Sequence, residues 1–137
     1  MEKREEGLQV LYEKIKSSRG VLGIKTFRRT PSEGVLHKDL PCVFMTEGPD
    51  KIIKYNSRDW LGYPARREVE IVFELITDDA YDIRKFFLDF RRTILTSAKV
   101  TDNCVIRELR ASGPSGYRSP HVIGMNLILG MSYTDHG

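Results

Sequence analysis

Residues 122–133 read VIGMNLILGMSY. Ile123, Met125, Leu127, Leu129, Met131 and Tyr133 share one parity, with Gly124, Asn126, Gly130 and Ser132 on the other. Strand side chains point alternately to opposite faces, so this period of two describes a strand with one buried face. Arg67–Ile76 repeats the pattern, with Val69, Ile71, Phe73 and Leu75 facing one way and Glu68, Glu70 and Glu74 the other. One-sided strands of this kind belong to antiparallel or mixed sheets with a single covered face. A helix is predicted between the two segments. Ile83, Phe87, Phe90 and Ile94 recur at steps of four, three and four, which forms an apolar stripe. Lys85, Asp89 and Arg92 lie on its solvated side, and Asp79 with Asp82 reads as a capping arrangement at its start.

Cys104–Ala111 reads as a further strand and Ser112–Pro120 as a Gly/Pro/Ser loop. Upstream, Leu40–Thr46 (LPCVFMT) is a continuous apolar run, suited to a strand buried on both faces. Glu47–Asp50 carries turn chemistry in Gly48 and Pro49, and Lys51–Tyr55 is a short strand after it. Gly23–Arg29 is another short strand, followed by a loop over Thr30–Asp39. The first element is a helix over Glu5–Ser18, with Leu8, Leu11, Tyr12 and Ile15 as its stripe and Gly20 as its stop. The expected order is α-β-β-β-β-α-β-β. The expected class is α+β: a single domain, with an antiparallel or mixed sheet and two helices on one face.

Composition excludes several functions. The chain has 137 residues, room for one domain, with 40% hydrophobic and 30% charged residues, so it is not a disordered tail. The longest apolar run, Cys42–Met45, is four residues, too short for a membrane-crossing helix. The opening MEKREEG has no apolar segment behind it, so the expectation is a protein made in the cytosol without a cleaved signal. A net charge of +3 falls short of a nucleic-acid signature. Cys42 and Cys104 suit small buried hydrophobes. His37, His121 and His136 lack metal-ligand spacing, and Ser115 sits in a GPSG turn without nucleophile-elbow spacing. Asp78, Asp79 and Asp82 are explained by helix capping more simply than by acid–base work or a cation. No dinucleotide or phosphate-loop motif is present. The reading is a non-enzyme with no catalytic residue, no metal and no cofactor.

Lys54–Arg67, KYNSRDWLGYPARR, stands out instead. It sets Tyr55, Trp60, Leu61 and Tyr63 among Lys54, Arg58, Arg66 and Arg67, and it holds the one tryptophan of the chain. Trp, Tyr and Arg are the residues enriched at binding hot spots, so this segment is the leading interface candidate. The opposing reading folds Trp60 and Tyr63 back onto the sheet.

The ordered set of a helix, GIKTFRR, LPCVFMTEGPDKI, a long hairpin into RREVEIVFELIT, an amphipathic helix and a final alternating strand resembles the tail terminator, or tail completion, proteins of long-tailed bacteriophages. The resemblance runs from about Leu8 to Tyr133. It implies a non-enzymatic virion protein at the head-proximal end of the tail, assembled in the host bacterial cytoplasm. Such a protein forms a ring of its own copies, typically a hexamer, that caps the tail tube, ends its polymerisation and offers a surface for head joining. The implied partners are other copies of itself, the tail tube protein, a neck or head-completion protein, and the sheath protein if the tail contracts. DNA would be met only as it passes through the ring, and no membrane is involved. Subunit contacts in this family come from sheet edges and extended loops, here Asn56–Ala65 and Ser112–Pro120, which adds Tyr117 and Arg118 to the candidates. Arg28, Arg29, Arg66 and Arg67 could pair with Glu68, Glu70 and Glu74 between neighbours, or all of these could form a solvated face. Two alternatives remain: a small nucleic-acid-binding α+β module, and the equivalent cap of a phage-derived contractile injection device.

Overall fold

The computed structural model describes residues 2–29, 37–55, 65–78, 81–116 and 121–135. Its elements are α1 (Lys3–Leu22), β1 (Thr26–Arg28), a 3-10 turn (His37–Asp39), β2 (Cys42–Tyr55), β3 (Ala65–Asp78), α2 (Ile83–Ile94), β4 (Val105–Gly116) and β5 (Val122–Asp135). The two alternating segments pair directly: β3 and β5 run antiparallel in one unbroken register from Ala65↔Asp135 to Asp78↔Val122. The five strands lie in the order β1-β2-β3-β5-β4, with β1 parallel to β2 and every other pair antiparallel. This is the expected α+β class, with a mixed sheet and both helices on one face.

The alternation dictates where the core sits. Val69, Ile71, Phe73 and Leu75 of β3 join Met125, Leu127, Leu129 and Met131 of β5 beneath the helices. Leu8, Leu11 and Ile15 of α1 and Ile83, Phe86, Phe87, Phe90 and Ile94 of α2 cover them. Phe73 meets Phe90 edge-on at 5.3 Å between ring centres, a favoured aromatic geometry. The LPCVFMT run is buried on both faces as read. Val43 and Met45 enter the main core, while Cys42 and Phe44 join Leu40, Ile76 and Val122 in a small second core on the opposite face.

Three boundaries differ from the sequence reading. Glu47–Asp50 does not reverse the chain. β2 continues through it, and the pairing with β3 shifts between Glu47 and Asp50. Pro49 lacks the N–H that a ladder requires, and Gly-Pro is tolerated at such a bulge as readily as in a turn. Two expected strands are therefore one, which leaves three strands before α2. Similarly, β4 runs on into the expected loop as far as Gly116, with a register shift between Ser112 and Ser115 around Pro114. Lastly, α1 begins at Lys3 and passes through Gly20. Its stop is Gly23, at φ 73°, whose N–H reaches back to the carbonyl of Gly20. That left-handed conformation favours glycine, which has no Cβ to clash. In α2, Asp82 is the cap and accepts from the Lys85 N–H at 3.1 Å. Asp79 lies outside the described residues.

Candidate functional site

The sheet face opposite the helices carries charges held inside the chain. Glu68 of β3 reaches diagonally across β5 to Arg107 of β4, accepting from Nε at 2.8 Å and from Nη2 at 3.0 Å. Glu70 repeats the stitch with Arg110 at 2.8 Å. The Glu68 side chain is only 2% exposed, whereas that of Arg107 is 66% exposed. The hydrogen bond from Arg107 holds the Glu68 carboxyl below the usual carboxylate range. Gly130 makes this path possible: a Cβ there would stand 2.6 Å from Glu68 Cδ. The two stitches tie the edge strand β4 to β3 over β5.

A second network lies on the helix side. Asp50 accepts from Arg67 Nε at 3.0 Å, pairs with Arg4 of α1 at 3.3 Å, and accepts from the Tyr133 hydroxyl. Arg4 also donates to Glu47 at 2.6 Å. The start of α1 is thus fastened to β2, β3 and β5 together. Burial, then the bond to Asp50, pushes the Tyr133 phenol up to about 12. Burial likewise pushes the Cys42 thiol up to about 11, so it stays protonated at neutral pH and is a poor nucleophile.

Of the ten interface candidates, Arg58, Trp60, Leu61, Tyr63, Tyr117 and Arg118 lie outside the described residues. The other four are dispersed. Arg66 and Arg67 are adjacent in β3 and so project to opposite faces. Arg66 donates to Thr134 Oγ1, the Ser132 Oγ and carbonyl, and the Asn103 carbonyl, at 3.0–3.3 Å. Arg67 serves the Asp50 network. Arg29 donates to both oxygens of Glu5, at 2.6 and 3.1 Å, and so ties the end of β1 to α1. Arg28 is exposed and has no ion pair among the described residues. Three of the four arginines therefore have partners within their own chain.

Among the described residues, no three His, Cys, Asp or Glu side chains converge as metal ligands would. A polar recess of about 180 Å³ opens beside the β4 bulge, lined by Glu74, Ser112, Ser115, Gly124 and Asn126. It offers hydrogen-bonding groups, and among the described residues no histidine lines it. The outward side of α2, which the sequence reading treated only as a solvated face, is a further candidate surface. Arg84, Leu88 and Arg92 lie there at steps of four, and Leu88 is 51% exposed. Neither Arg84 nor Arg92 has an ion pair among the described residues. The available signal was Leu88, an apolar residue off the buried stripe and between two arginines.

No protein-family model and no curated protein matches the sequence. The fold is similar to that of a chain in a structure described as the virion of a native gene transfer agent particle, with a TM-score of 0.55 and 12% identity. The match covers 91% of this chain and 92% of that one. At that identity the likeness speaks to the fold, and it spans nearly all of both chains.

Proposed function

We propose that this chain is a structural protein of a phage-like virion, and more narrowly a tail terminator. In this reading, copies form a closed ring that caps the tail tube, ends its growth and presents the surface to which the head is joined. The observation that carries the reading is the likeness to a virion chain over nine-tenths of both molecules. It is supported by the surface chemistry, in which ion pairs and networks fasten elements together. We also propose that the protein has no catalytic activity. A ring needs a rigid subunit, because closure depends on a fixed rotation between copies. The Glu68–Arg107, Glu70–Arg110 and Asp50 contacts supply that rigidity by locking the edge strand and the start of α1 to the central strands. The partners follow: the chain itself, the tube protein beneath, the neck or head-completion protein above, and a sheath where the tail contracts. Light scattering on the purified protein, with and without tail tubes, tests the reading. The expected result is a discrete multimer that sediments with tubes, one ring per tube end. A monomer that ignores tubes would refute it.

A further inference from the structure

The outward side of α2 carries an arginine pair and that of α1 a glutamate pair, with similar spacing. On α2, Arg84 and Arg92 flank the exposed Leu88, and Arg91 lies beside them, held by Glu108 at 2.8 Å. On α1, Glu6 and Glu13 flank Val10, which is 42% exposed. At about 1.5 Å of rise per residue, the arginines stand roughly 12 Å apart along the helix and the glutamates roughly 10.5 Å. The glutamates have only weak local company. Glu6 meets Lys3 at 3.6 Å, one turn away, and Glu13 accepts from the Gln9 amide at 3.1 Å. Beside Leu88 runs a shallow groove of about 390 Å³, lined by Leu88, Arg91, Arg92, Leu95 and Thr96.

The two faces cannot meet within one chain. α1 and α2 pack side by side, with Lys14 of α1 at the last carbonyl of α2 and Leu22 near Tyr81 and Phe86 at its start. The helices are thus antiparallel, which puts Glu6 and Arg84 at opposite ends of the pair. We propose that the occupant of the α2 face is α1 of a second copy, with Val10 entering the Leu88–Leu95 groove and Glu6 and Glu13 reaching Arg84 and Arg92. The contact joins two different surfaces, so it is head-to-tail and can propagate around an axis until it closes. This proposal rests on the ring reading and names an interface for it. Nucleic acid fits the α2 face less well, because an exposed leucine sits between the cations.

The test uses sedimentation velocity on the full chain at low and moderate salt. Arg84→Glu with Arg92→Glu should weaken self-association at least tenfold, as should Glu6→Lys with Glu13→Lys. Mixing the two double variants should restore association, because the reversed α2 of one then faces the reversed α1 of the other. Leu88→Ala, which changes no charge, should weaken it as well, and circular dichroism melts confirm that each variant is folded. Association unchanged by either double variant, or a mixture that stays dissociated, would overturn the interface. Loss of retention on duplex DNA with association intact would overturn it in favour of a nucleic-acid face. A wild-type chain that stays monomeric would also refute the contact, whereas the cap reading is judged separately by binding to tube ends.

Discussion

Gly130→Ala probes the stitch that fastens the edge strand. The added methyl would lie 2.6 Å from Glu68 Cδ and 2.7 Å from Oε2, and 3.0 Å from Cγ. No rotation removes a Cβ, so Glu68 must leave its path over β5 and give up both hydrogen bonds to Arg107. Overpacking of this kind costs about 1–3 kcal/mol. Replacing glycine in an extended strand offsets roughly 0.4–1 kcal/mol of that by restricting the unfolded chain. The expected net destabilisation is about 1–2 kcal/mol, read as a lower urea midpoint at unchanged slope. The decisive control is a cycle with Glu68→Ala. With the carboxylate gone the clash is gone, so in that background Gly130→Ala should stabilise by roughly 0.4–1 kcal/mol, a coupling of about 1–3 kcal/mol. Simple additivity of the two substitutions would refute the account of why position 130 is glycine.

Leu127→Ala or Leu129→Ala should cost about 2–5 kcal/mol, since both side chains are fully buried in the main core. Glu70→Ala should cost less than about 1 kcal/mol, because its partner Arg110 is 58% exposed; urea unfolding that reverses this order would show the face assignment to be wrong. Stability should fall as pH rises from about 9 towards 12. Over that range the unfolded chain releases its Cys42 and Tyr133 protons while the folded chain, with these groups at about 11 and about 12, retains them. Tyr133→Phe should flatten the upper part of that fall in melts taken between pH 8 and 12. Trp60→Ala should leave the melting temperature of the monomer unchanged and weaken assembly, measured as melting temperature and oligomer mass on the same sample. A lowered melting temperature with normal assembly would mean that the loop is merely packed.

The sheet's central pair was legible because alternation is local: the residues that decide it are two apart, and a buried face demands them. The helix α2 was legible for the same reason, although Phe86 widens its stripe beyond the four residues that the spacing picked out. What sequence could not settle were choices with equal local chemistry. Gly48-Pro49 serves a bulge as well as a turn, and pairing with β3 decides between them. Gly20 and Gly23 could each end α1, and only Gly23 takes the left-handed conformation. The site was harder. Glu68 and Arg107 are 39 residues apart and Glu70 and Arg110 are 40 apart, and each pair meets only because β5 inserts between β3 and β4. Arg66 and Arg67 were grouped in one interface segment, yet strand geometry sends neighbours to opposite faces. That much was available from the alternation of β3 itself.

The central claim is that this chain caps a tail tube, and electron microscopy of tails assembled with and without it tests the claim most directly. With the chain present, tails of uniform length joined to heads are expected. In its absence, tubes should be overlong or variable in length and should fail to join heads. Uniform, head-joined tails formed without the chain would contradict the account.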